Sequence, residues 1–191
     1  MVLRRLAVAL VLALTGLTVS VVTATPENKP ASASVVAPSG ADVHFAQMMV
    51  EHHEQAVRMS RTLIAKPQVP ERIRLIADFV AHDQQREIDE TNAWLTAWGA
   101  PPPAPGPAHG MLTEAQLTSL DRAGTADAPV IFLRLMIEHH EGAITMSRSL
   151  LDGPTGNVYI HGLAKHVINE QTAEIDAMRA LLPAPAVTGR R

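Results

Sequence analysis

At 191 residues without a single cysteine, the chain can form no disulfide and offers no thiol nucleophile. Any metal site must come from His, Met, carboxylate or backbone. Its formal charge of −3 argues against a nucleic-acid partner, which calls for clustered basic residues, and its length suits one domain with its own core.

The first element reads as an export signal. Arg4 and Arg5 form a basic start, Leu6 to Val22 are almost wholly apolar, and Val22-Thr23-Ala24 offers a small-residue cleavage site. A signal peptide over 1–24 predicts an exported protein: secreted, periplasmic or held in the cell envelope. The apolar run is shorter than the roughly 20 residues of a spanning helix; left uncleaved, it would anchor the chain in a membrane. With no cysteine after it, a lipoprotein anchor is excluded. Loss of Arg4 and Arg5 leaves 14 basic against 19 acidic residues, a net charge of −5. Residues 25–41, rich in Pro, Ala and Ser, read as a disordered tether.

Helical periodicity follows over 42–183. Phe45, Met48, His52, Ala56, Met59 and Leu63 recur at spacings of three and four and share one face, with Glu51, Glu54 and Arg58 opposite. Asp42 is a candidate N-cap. Pro67 and Pro70 end this helix and open the next, whose stripe holds Ile73, Ala77, Val80, Gln84, Ile88, Leu95 and Trp98. The connector 99–110 contains five prolines and cannot be helix. Thr113 and Gln116 form a capping-box pattern for a short helix to about Arg122. Asp127 and Pro129 start another long helix, which Gly153-Pro154 stops, and a last one runs from about Val158 to Leu182.

The chain repeats itself. Phe45 to Arg61 returns as Phe132 to Arg148 at an offset of 87 residues. Gln84, Glu87, Ile88 and Asp89 return as Gln171, Glu174, Ile175 and Asp176 at the same offset. The repeated unit is a helix pair, with halves at about 42–98 and 127–182. One pair cannot cover its own apolar face, so the two should pack with approximate two-fold symmetry. The expected fold is all-α, an antiparallel bundle of four long helices.

The repeat carries ligand chemistry. His52 lies near the centre of its stripe, with Met59 two turns on and about 20° away. Met49 and His53 stack on neighbouring turns at its edge. Met136, His139, His140 and Met146 copy this geometry. If the copies face each other, four imidazoles and four thioethers approach one part of the core. Such a site could take Cu(I) through His and Met, the favoured form, or Cu(II) through more imidazole. A methionine on an apolar face is ordinarily core, and a lone interior histidine is ordinarily hydrogen-bonded. What departs from the ordinary is polar groups buried at matched positions of both halves, when each unpaired one costs roughly 1–3 kcal/mol. Gln84 and Gln171 are candidate partners for those imidazoles or orienting groups behind them. His82 and His166 do not repeat and read as surface residues. His44 and the His109-Gly110-Met111 stretch have unspecific spacing.

No catalytic centre is expected. A di-iron carboxylate bundle needs Glu-x-x-His on two helices with further core glutamates; here Glu54 and Glu141 follow Glu51 and Glu138, all on the polar face. There is no His-Glu-x-x-His zinc motif, phosphate loop or nucleophile elbow.

The pattern Met49, His52, His53, Ala56, Met59, repeated as Met136, His139, His140, Ala143, Met146, resembles the domain of unknown function 305 family. So do Gln84, Glu87, Ile88, Trp94 and Leu95, with Gln171, Glu174, Ile175 and Met178. The chain departs from the pattern at Thr91, which stands where the second copy has Met178. Leu135 stands opposite Met48, and Glu51 and Glu138 take a position often held by proline. The resemblance implies a ferritin-like bundle, copper handling outside the cytoplasm, and the doubled His and Met positions as ligands. The implied partners are copper ions and, for a carrier, a copper-transfer protein. The competing expectation is a metal-free helical interaction module whose polar core is hydrogen-bonded within itself.

Overall fold

The computed structural model describes residues 36–103, 110–154 and 156–184. The signal segment, most of the tether, positions 104–109 of the connector and the tail from 185 lie outside the described residues. Five helices follow in order: α1 (Gly40–Ile64), α2 (Glu71–Ala97), α3 (Glu114–Arg122), α4 (Ala128–Leu151) and α5 (Val158–Arg179). Among the described residues there is no strand, and no helix is long and apolar enough to cross a membrane.

Local chemistry explains the boundaries. Ser39, not Asp42, caps α1. Asp42 sits at the third helical position of a capping box, where its carboxylate accepts from Ser39 N and Ser39 Oγ at 2.7 Å. Buried completely, it also accepts from Asn157 N at 3.2 Å, which ties the starts of α1 and α5 together. These three charge-assisted hydrogen bonds outweigh burial: desolvation raises the Asp42 pKa, but the bonds from Ser39 and Asn157, with His161 nearby, bring it below the usual carboxylate value. Thr113 and Gln116 form the capping box that their spacing predicts. Asp127 stands at the cap of α4 but makes no side-chain bond there, and Pro129 supplies the preset backbone angle. Helix α5 ends at Arg179, because Leu181 N and Leu182 N turn back to Met178 O and Arg179 O at 3.1 and 3.2 Å. These i→i+3 bonds tighten the last turn.

Helix α1 packs on α2, α4 packs on α5, and the pairs meet chiefly through α1 and α4. Within the first pair the helices run antiparallel: Gln47 reaches Pro101 O at 2.6 Å, while His53 reaches Glu87 on α2. The apolar core falls into two clusters. One holds Ala56, Met59 and Leu63 of α1 with Phe132, Leu133 and Met136 of α4. The other holds Phe45, Ala46 and Met49 of α1 with Ala143 of α4 and Ile160, Ala164 and Val167 of α5. Each large side chain buried there contributes about 1.5–3 kcal/mol. The histidine pairs lie between the two clusters along both helices.

Candidate metal centre

All four paired histidines are buried: His52, His139 and His140 are 0% exposed, and His53 is 2%. The helical wheel puts His53 and His140 at the edge of the stripe, but α2 and α5 cover that edge with a glutamate each. His53 Nε2 bonds Glu87 Oε2 at 2.6 Å, and His140 Nε2 bonds Glu174 Oε2 at 2.7 Å. Both partners lie 34 residues on, so the contact is duplicated with the sequence. At the centre, His52 and His139 stack across the α1–α4 interface, ring centroids 3.6 Å apart and tilted by 32°. Within each pair the centroids are 6.4 Å apart (His52, His53) and 6.2 Å apart (His139, His140).

The partners fix where the ring protons sit. A carboxylate can only accept, so Nε2 of His53 and His140 donates. His52 Nε2 lies 3.2 Å from the Gly110 carbonyl, and it donates for the same reason. In these three rings the lone pair is therefore on Nδ1. Each of those Nδ1 atoms is buried without a hydrogen-bond partner, as are both nitrogens of His139. Burial, reinforced by the neighbouring His53, pushes the His52 pKa down to about 3; burial and the His52 ring hold His139 well below its usual range. These two imidazoles stay neutral at physiological pH, the state in which imidazole binds a metal.

The connector breaks the symmetry. Gln55 and Gly142 occupy the same repeat position. Gln55 holds the Leu112 backbone from both sides, donating to its carbonyl at 3.1 Å and accepting from its N–H at 2.8 Å. Gly142 has no side chain, and the chain passes so close that a Cβ there would lie 2.5 Å from the Gly110 carbonyl oxygen. Gly110 itself adopts φ +71, open to glycine. Clamp and clearance together bring the Gly110 carbonyl to His52 and leave His139 without an equivalent.

The thioethers divide between the two apolar clusters. Met59 and Met136 belong to one; Met49 belongs to the other, against which the partly buried Met146 packs. Gln84 and Gln171 are buried as their stripe positions require, but they do not bond the imidazoles. Both amide atoms of Gln84 and Oε1 of Gln171 lack partners, and so do Ser60 Oγ and Ser147 Oγ, themselves an offset pair. The glutamates take the orienting role instead. Their match across the repeat was visible in the sequence; their reach to the second histidine of each pair was not. His44 is exposed on a groove of about 670 Å³ between α1 and α4, beside Met48, Gly110 and Met146. His82 is exposed, and His109 lies outside the described residues. His166, half exposed, is not a free surface residue: it meets Glu87 and Glu170.

No curated protein matches the chain. Solved structures do. A DUF305 fragment from Deinococcus radiodurans superposes with a TM-score of 0.69 at 31% identity, covering 75% of this chain and 96% of that one. A DUF305 protein from Streptomyces coelicolor, described as secreted, gives 0.69 at 30% identity, covering 74% and 91%. CopM in its Cu(I)-bound form gives 0.59 at 31% identity, covering 73% and 93%, and CopM has also been solved with Ag and with Cu(II). The family model described as "Domain of unknown function (DUF305)" matches residues 42–182, and the chain belongs to that family.

Proposed function

We propose that the protein is an exported copper-binding protein that buffers or carries the ion, without catalysing a reaction, in a ferritin-like bundle of its four long helices. Copper is the cargo. His52, His53, His139 and His140 supply imidazole nitrogen. Met49, Met59, Met136 and Met146 supply thioether sulfur from either side, a donor set that favours Cu(I) and admits Cu(II). One observation carries the reading: five ring nitrogens with no hydrogen-bond partner are buried together. Left so, each costs about 1–3 kcal/mol, and a soft cation can take the free lone pair of each ring, one nitrogen per imidazole. The similarity to CopM, solved with Cu(I), Cu(II) and Ag, supports the choice of metal.

The test is a titration with Cu(I) against a competing chelator. The wild-type protein should withdraw copper from the chelator, and a variant with all four paired histidines changed to alanine should not, while remaining helical by circular dichroism. Equal, weak binding by both helical proteins overturns the proposal.

A further inference from the structure

A second cluster of ligand atoms lies between α2 and α5, and its chemistry is different. Asp83 and Glu87 are four residues apart on α2, and His166 and Glu170 are four apart on α5. That spacing puts each pair on one helix face. One ligand atom from each of the four comes within 4.8 Å of all the others. His166 Nε2 lies 2.6 Å from Glu170 Oε2 and 3.2 Å from Glu87 Oε1.

Glu87 supplies the decisive detail. It is only 5% exposed, and its Oε2 is committed to His53. Its Oε1 turns the other way, towards His166, but has no hydrogen-bond partner. A buried carboxylate oxygen without a donor is costly, and this one points into a group of metal-ligand type. The repeat explains the concentration of charge: Asp83 and Glu170 are offset-equivalent, so the duplicated carboxylates of α2 and α5 confront each other. Arg86 pairs with Asp83 from the same helix, while Glu87 Oε1 and Glu170 Oε2 both face His166. His166 itself replaces Phe79 of the first copy, so the nitrogen is present on one side only.

We propose that Asp83, Glu87, His166 and Glu170 form a binding site for a borderline divalent cation such as Zn(II), separate from the soft core. Three carboxylate oxygens and one imidazole, with no thioether, select a harder ion than the His–Met core does. Ligand atoms of a tetrahedral zinc site stand about 3.4 Å apart, given bonds of roughly 2.0–2.2 Å. Small side-chain rotations from the observed spacing achieve this. Glu87 is then shared, one oxygen orienting His53 and the other holding the cation.

The experiment is a Zn(II) titration of the purified full chain, preloaded with Ag(I) to occupy soft donors. Two variants are compared with the wild type: His166→Phe, which installs the residue of the other repeat copy, and Glu170→Gln, which keeps the shape. The expected result is one tightly bound Zn(II) per wild-type chain, with affinity at least tenfold weaker in each variant and Ag(I) affinity unchanged within twofold. Zinc absorption spectroscopy should show a shell of oxygen and nitrogen with one imidazole. Zn(II) binding that is indistinguishable in all three proteins, or absent from the wild type, overturns the proposal. The zinc readout does not require silver to bind, so failure of the copper reading would be seen separately, in the Ag(I) arm.

Discussion

His52 and His139 are the same residue of a duplicated sequence, and they meet face to face at 3.6 Å. Only His52 has a partner, the Gly110 carbonyl. His139 carries two buried nitrogens with none, so in the metal-free protein it weakens the fold that holds it.

That asymmetry predicts the outcome of His139→Leu. Leucine fills most of the space and removes two unsatisfied atoms, each worth about 1–3 kcal/mol, at the expense of imperfect packing. The metal-free variant should be as stable as the wild type or more stable, by about 1 kcal/mol in urea unfolding, while losing most of the thermal stabilisation given by Ag(I). A loss of more than about 2 kcal/mol without metal would show that the ring was satisfied after all.

Acid should unfold the metal-free protein through the same rings. His52 and His139 have folded pKa values depressed below the ordinary 6.5, to about 3 for His52. Between those limits the unfolded chain binds protons that the folded chain refuses, so stability is full above pH 6.5 and falls as the pH drops. His52, with its pKa at about 3, should cost about 2 kcal/mol between pH 7.5 and pH 5, and His139 adds loss in the same direction. Asp42, also depressed, adds loss in the same direction only as the pH falls below the ordinary carboxylate value of 3.8. Urea midpoints measured across that range should decline steeply, and the decline should be shallower in His139→Leu. A flat wild-type profile would contradict the burial of neutral imidazole.

The parts of this architecture that were legible in the sequence are those written twice. The offset of 87 residues revealed the helix pairs and placed both histidine pairs in one core layer. Single-helix geometry was a poorer guide. It put His53 and His140 at an edge, because a wheel cannot know that a glutamate on the neighbouring helix covers that edge. It also favoured Gln84 and Gln171 as partners, although Glu87 and Glu174, one turn on, have the reach. The features that differ between copies were illegible for a related reason. Gln55 against Gly142, and His166 against Phe79, look like ordinary drift until the connector and the α2–α5 interface give them neighbours.

Glu174 should orient His140 without touching metal. Its carboxylate accepts from Nε2, which keeps the lone pair on Nδ1. Changing Glu174→Gln replaces a charged acceptor with a weaker one that can also present the wrong face. A loss of about 10–100-fold in Cu(I) affinity is expected, the range for partners behind a ligating histidine. Long-range nitrogen NMR should show the His140 tautomer changing from purely Nε2–H to a mixture. An affinity within twofold of wild type, with the tautomer intact, would remove Glu174 from the design.

The clearance at Gly142 can be tested against a second helical glycine. Gly→Ala inside an exposed helix normally stabilises by about 0.8–1.0 kcal/mol. Gly162 in α5 is exposed, and a Cβ there meets nothing within 4 Å, so Gly162→Ala should show that gain. At Gly142 the same methyl would lie 2.5 Å from the Gly110 carbonyl oxygen and 2.6 Å from its Cα. Neither is the end of a flexible side chain, so α4 or the connector must shift, and overpacking of this kind costs about 1–3 kcal/mol. Gly142→Ala should therefore destabilise where Gly162→Ala stabilises. It should also move the Gly110 carbonyl off His52 Nε2 and free that ring to change tautomer. Urea unfolding of the two variants reads the sign directly, and the His52 nitrogen shifts read the lost contact. Two stabilised variants would mean that the connector does not press on α4, and that the Gly110 carbonyl is not what holds His52 in place.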